Sequence, residues 1–287
     1  APWWLERDGV EGELHDEPLH SRALKADVSV LVWTPAGVAP EEPLPLLVAN
    51  DGPGYDSRGG LTRYASVLIG DDELPAFRIA LLSPGPRDSW YSCSPQYARA
   101  LCTEIVPHVA NGYALRGRPV GIGASLGALS MLHAQRRHPG TFSGLLLQSG
   151  SFFVPRFDAH EREFPHYQRV VRFSRAVLRA TSHGETLPVT LTCGAEEENI
   201  RNNRLMCTAL RGQGYDTELV ELGSIERHLT IHGDGDFFGR HRDESRPGTD
   251  GCRVLTFVYY FHSEPKSFAG GELRLYDTIE SRRGATV

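Results

Sequence analysis

Positive charge is in short supply in this sequence, and lysine most of all: Lys25 and Lys266 are the two lysines among 30 basic residues. Against 36 acidic residues the formal net charge is −6. No basic field exists to hold nucleic acid or an anionic membrane surface, so neither is an expected partner. Long apolar runs are missing too, and none approaches the roughly 20 residues a membrane helix needs. No basic-then-apolar stretch opens the chain, so no secretion signal is expected. Five cysteines (Cys93, Cys102, Cys193, Cys207 and Cys252) make an odd number, and none lies in C-x-x-C spacing. That excludes a disulfide framework and predicts free thiols in a reducing, cytoplasmic compartment. Gly and Pro number 30 and 19 but are dispersed, so no low-complexity segment or internal repeat is present.

What is there is a core. The 287 residues are 40% hydrophobic and 23% charged, enough for one large α/β domain or two small ones. Apolar runs at 26–33, 44–49, 78–82, 119–123, 144–148, 187–193 and 217–222 predict strands. Helical spacing over 97–109, 126–137 and 199–213 predicts helices between them. Short apolar strands alternating with helices predict a mostly parallel sheet covered on both faces. In such a sheet ligands sit beyond the carboxyl ends of the strands. After Gly223 the alternation stops, and the sequence becomes aromatic, Gly-rich and β-like. Two domains follow: 1–223, and a partial β segment, 224–287.

Gly123-Ala124-Ser125-Leu126-Gly127 is G-x-S-x-G, between a β run and a helix. That order suits a nucleophile elbow, in which a strained turn lifts the serine hydroxyl into the cleft and the flanking glycines let helix and strand close. The backbone N–H of Leu126 would then face a developing oxyanion. The plain alternative is a helix start with Ser125 as N-cap. A second oxyanion donor is expected from the Asn50-Asp51-Gly52-Pro53-Gly54 loop, with Gly52 the candidate, unless that loop is an ordinary turn. Glu196, Glu197 and Glu198 follow a late strand, where one would orient a histidine or complement a helix dipole. His160 to Tyr167 forms either a lid over the cleft or a surface loop. Trp3 and Trp4 either line a binding surface or dock on the core.

Four segments, LLVANDGPGYD at 46–56, LLSPGPRDSWYS at 81–92, GIGASLGALSMLHAQRRHPGTFSGLLLQSGSFF at 121–153 and TCGAEEENIRNNRLMCTALRGQGY at 192–215, run in one order. Through them, residues 1 to about 222 resemble the enterochelin-esterase-like branch of the α/β-hydrolases. The resemblance implies an α/β-hydrolase fold and a cofactor-free serine esterase acting on a small-molecule, oxygen-rich ester. It implies Ser125 as nucleophile, Glu197 as triad acid and Arg87 as a substrate contact, although Arg87 suits a surface ion pair equally well. The family usually places its histidine after the strand at 217–222, commonly with a Trp close behind. Here Gly223-Ser224-Ile225-Glu226-Arg227-His228 stands there, with no Trp nearby. Without a base the serine keeps its proton. Either His228 (or His232) takes that role, or the chain is an impaired hydrolase.

His241-Arg242-Asp243 is H-x-D, flanked by HGDGDFF at 232–238, RVLTFVYY at 253–260 and Gly270-Gly271-Glu272-Leu273. This stretch is similar to 2-oxoglutarate/Fe(II) dioxygenases of the prolyl-4-hydroxylase type, whose fold is a double-stranded β-helix. The resemblance implies His241 and Asp243 as metal ligands, with Fe(II) and 2-oxoglutarate as cofactors of that segment. That family's distal His and basic anchor are expected beyond Val287. A fused, catalytically impaired remnant is the remaining expectation.

Overall fold

The computed structural model describes residues 3–182 and 184–223, together with two short strands near the end of the chain. The chain divides into two compact units, 1–226 and 227–287. In the first unit the strands are β1 (Gly12–Asp16), β2 (Leu19–Ser21), β3 (Ala26–Val28), β4 (Val30–Pro35), β5 (Leu46–Asn50), β6 (Arg78–Leu82), β7 (Val120–Ala124), β8 (Gly144–Gln148), β9 (Val189–Gly194) and β10 (Thr217–Leu222). The helices are α1 (Gly52–Gly59), α2 (Leu61–Gly70), α3 (Arg87–Tyr91), α4 (Pro95–Ala100), α5 (Val106–Gly112), α6 (Leu126–Arg137), α7 (Tyr167–Arg179) and α8 (Ile200–Gly212).

Eight strands form one sheet in the order β1-β4-β6-β5-β7-β8-β9-β10. Strand β4 runs antiparallel to both neighbours. From β6 to β10 every pairing is parallel. The central strands are apolar on both faces because both are covered. Val48, Ala80 and Leu82 join the larger core with α4, α6 and α7. Ala49, Ile79, Leu81 and Ile122 join the smaller one with Ala65 of α2. The chain leaves β5 to one side, forming β6, and returns to its other side as β7. That reversal opens a crevice beyond the carboxyl ends of β5 and β7.

Two expected elements are broken. The strand read over 26–33 divides at Ser29: β3 pairs with β2, whereas β4 pairs with β6. The helix read over 97–109 is interrupted by a π-helical turn, Leu101–Ile105, between α4 and α5. Pro107 lies just beyond it and cannot donate to the preceding turn, which favours a widened register there. In the second unit β11 (Arg274–Tyr276) pairs antiparallel with β12 (Gly284–Thr286).

Helix α6 is buried from Leu126 through Gln135, its polar Ser130, His133 and Gln135 included. His133 lies on it, edge-on to Phe173 of α7 with ring centroids 5.1 Å apart. Burial, then the charges of Arg137, Arg169 and His138, push its imidazole down to about 4. The folded state therefore holds His133 neutral, whereas the unfolded chain protonates it near its ordinary 6.5. The unfolded state binds the extra proton, so this term costs stability as pH falls from 6.5 toward 4, by roughly 3 kcal/mol at its full extent. His133→Leu removes it. Urea unfolding at pH 7.5 and 4.5 should show the variant losing less stability than wild type over that range. Parallel losses in the two proteins would mean that His133 binds its proton equally in the folded and unfolded states.

Candidate active site at the carboxyl ends of the central strands

The turn between β7 and α6 is held tightly. Ser125 has φ 56° and ψ −119°, a left-handed conformation that side chains rarely adopt. Its N–H donates to the Gln148 carbonyl at 2.9 Å, and its own carbonyl accepts from Leu129 and Ser151, each at 3.2 Å. These bonds over-determine the strained backbone. The turn also requires β7 and α6 to touch: a Cβ on Gly123 would stand 2.4 Å from the Gly127 carbonyl carbon. Ser125 occupies the N-cap position of α6, but its hydroxyl makes no capping bond to the helix and its φ is positive, so it is not an ordinary N-cap. Leu126 heads the helix, where an N–H has no acceptor one turn back.

The end of β5 forms one wall. Asn50 is fully buried and bridges two elements, donating to the Gly127 carbonyl at 3.1 Å and accepting from the Tyr97 hydroxyl at 2.6 Å. Asp51 follows in the left-handed region, its N–H donating to the Tyr91 hydroxyl at 3.0 Å. Gly52 is the first residue of α1, and a Cβ there would lie 2.2 Å from the Leu81 Cα. The Asn50–Gly54 segment thus opens a helix and presents the first-turn N–H of Gly52. Arg87 begins α3 and grips Asp51: its Nε lies 3.0 Å from both carboxylate oxygens and its terminal nitrogen 2.8 Å from Oδ2. Burial works against the Arg87 charge, but the bonds and charge of Asp51 outweigh it and hold the guanidinium above its ordinary value. In the fold Arg87 forms an ion pair with Asp51.

The ends of β8 and β9 form the other wall. The Glu197 carboxylate accepts from the Gly194 N–H and from the Ser149 hydroxyl, both at 2.9 Å. Glu198 lies away from this pair, 3.6 Å from His160. Cys193 is buried beneath; burial, then the charge of Glu197, push its thiol up to about 11. It stays protonated at neutral pH and does not compete as nucleophile. The Ser125 oxygen is hydrogen-bonded to the Ser151 hydroxyl at 2.9 Å. Among the described residues, no histidine is bonded to it. His228, His232, His241 and Asp243 lie outside the described residues.

Two further segments take their places. His160–Glu163 is a short 3-10 turn, and the aromatic rings after it anchor the chain: Phe164 meets Phe153 edge-on at 6.1 Å, and Tyr167 stacks on Phe153 at 5.7 Å. Trp4 docks against Tyr64 of α2, with ring centroids 5.5 Å apart.

Gly123 and Gly54 give a matched pair for the turn. Gly123→Ala forces strand and helix apart and should cost about 3 kcal/mol or more of unfolding free energy. Gly54→Ala, on a helix with nothing within 4 Å of the added methyl, should gain about 0.4–1 kcal/mol by stiffening the unfolded chain. Denaturant melts decide it; a Gly123→Ala protein as stable as wild type would contradict the close approach.

The fold is similar to that of several solved esterases. The enterobactin esterase from Shigella flexneri, crystallised in the presence of enterobactin, superposes with a TM-score of 0.62 at 24% identity, over 77% of this chain and 57% of that one. A ferulic acid esterase superposes with a TM-score of 0.61 at 18% identity, over 75% of this chain and 91% of that one. The chain therefore spans little more than half of the first. Residues 227–287 match the 2OG-Fe(II) oxygenase superfamily. Within the chain, 58 residues are 52% identical to an uncharacterized PKHD-type hydroxylase of Synechocystis and span about a fifth (19%) of that protein's length. Residues 21–234, well over half of the chain, match the family described as "Putative esterase", and the chain belongs to that family, with an α/β-hydrolase-like fold.

Proposed function

We propose that this chain is a carboxylic-ester hydrolase that works through an acyl-enzyme on Ser125. The observation that carries this reading is the strained turn at Ser125, with φ 56° and the hydroxyl left uncommitted to the helix below it. A strained polar residue between strand and helix costs stability and persists where the surroundings enforce it, most often at functional sites. Family membership supports the reaction class.

The chemistry follows from the groups present. The Ser125 oxygen attacks the ester carbonyl as its proton passes to a histidine base, assigned from the sequence to His228. Charge gathers on the carbonyl oxygen, and the N–H groups of Leu126 and Gly52 are the assigned donors to it. The carbon–alkoxy bond breaks, the alcohol leaves with the proton, and water then releases the acid from the serine ester. Glu197, held by Gly194 and Ser149, is the carboxylate assigned to orient the base. The substrate class is a small, oxygen-rich ester, in keeping with the enterobactin esterases of similar fold. No cofactor takes part. The four described cysteines are free and buried, which supports a cytoplasmic, reducing setting.

A fluorophosphonate probe tests the nucleophile. Wild type should label and hydrolyse p-nitrophenyl acetate, whereas Ser125→Ala should lose labelling and at least ~10³ in kcat. Equal labelling of the two proteins would sink the reading. His228→Ala should fall as far as Ser125→Ala; full activity in it would assign the base elsewhere.

The match of residues 227–287 to the oxygenase superfamily favours a second reading for that segment alone. It is a piece of a 2-oxoglutarate/Fe(II) oxygenase in which His241 and Asp243 supply two metal ligands. Titration with Mn(II) as a substitute ion should then show one site that is lost in His241→Ala. Equal binding by the two proteins would dismiss it.

A further inference from the structure

We propose that Ser151 positions the reacting oxygen of Ser125, and that the strap 149–151 exists to hold it there. The inference rests on Ser125 being the nucleophile. The Ser151 hydroxyl lies 2.9 Å from the Ser125 hydroxyl, and the Ser151 N–H donates to the Ser125 carbonyl at 3.2 Å. One residue therefore grips both the backbone and the side chain of the strained turn. A serine hydroxyl rotates among three staggered wells, and one directed hydrogen bond selects among them.

The strap that carries Ser151 has almost no freedom of its own. Ser149 sits at φ 46°, its N–H donating to Thr192 at 2.7 Å and its carbonyl accepting from the Asn199 amide at 2.7 Å. Gly150 is clamped on both sides by Asn203, which accepts its N–H and donates to its carbonyl, each at 3.1 Å. A Cβ on Gly150 would stand 2.3 Å from the Phe152 ring, so the clamp also needs glycine there. Asn203 is fully buried, and its side chain serves this strap and the first turn of α8. These bonds fix the hydroxyl of Ser151 on Ser125 and that of Ser149 on Glu197. The strap thus sets the nucleophile and the acid from a single rigid piece, which is what precise alignment of reacting groups requires.

Threonine and valine have nearly the same shape, so the pair Ser151→Thr and Ser151→Val isolates the hydroxyl. With p-nitrophenyl acetate, Ser151→Thr should keep kcat within about twofold of wild type. Ser151→Val should lose about tenfold in kcat with KM unchanged, the size of one neutral hydrogen bond. Ser151→Ala adds no bulk and should show the same tenfold loss while its melting temperature stays near that of wild type. Equal kcat in the Thr and Val proteins, or a wild-type kcat in Ser151→Ala, would overturn the proposal. Activity surviving in Ser125→Ala would instead overturn the nucleophile on which it rests.

Discussion

The site depends on how closely strand β7 approaches helix α6. The backbone of Gly123 lies against that of Gly127 with no space for a methyl group. That contact leaves one residue, Ser125, to turn the chain through a conformation that L residues avoid. Asn50 reinforces the contact from the next strand by bonding the Gly127 carbonyl. Three carbonyl and N–H bonds from β8, α6 and the strap then hold the turn. If the approach loosened, Ser125 would relax into an ordinary helix start, and the first-turn N–H groups would point elsewhere. The neighbouring strand ends supply the rest of the wall.

The central sheet was legible in the sequence because its strands are buried on both faces and therefore appear as unbroken apolar runs. The run at 144–148 coincides with β8 and the helix at 126–137 with α6; the strand read at 217–222 is β10, an edge strand exposed at four of its six residues. The helix α7 was not read, although Tyr167, Val170, Val171, Ser174 and Val177 fall at helical spacing on its buried face. Arginines interleaved among those positions mask the period. Helix α1 was missed for a different reason. Its opening, Asp51-Gly52-Pro53-Gly54, has turn chemistry, and Pro53 fits a helix's first turn as well as a β-turn. The edge strand β1 is exposed at every residue, so no apolar alternation marked it.

Among the candidate site residues, Ser125 was picked out by a local motif and Glu197 by the family resemblance among three adjacent glutamates, and both lie just beyond strands that the sequence marked. Partners were harder. The grip of Arg87 on Asp51 joins residues 36 apart, and that of Asn203 on Gly150 joins residues 53 apart. No local pattern encodes either pairing. Ser151 carried no signal beyond lying in a Ser-Gly-Ser loop, and its role emerged from its distance to Ser125.

Electrostatics give the arrangement its sense. Tyr91 and Tyr97 beneath the turn are buried, and burial raises both phenols, so they stay neutral. Cys193 is held protonated in the same way. The Asp51 charge is matched by Arg87, so the end of β5 carries no net charge toward Ser125. Glu197 differs: its carboxylate accepts from an N–H and a hydroxyl, and among the described residues no cation pairs with it. A carboxylate held this way attracts a cation, and an imidazolium formed as Ser125 loses its proton is a cation of the required kind. Asp51 thus faces Arg87, whereas among the described residues Glu197 is held by hydrogen bonds and has no ion-pair partner. A hydrolase working through a histidine needs that attraction between its acid and its base.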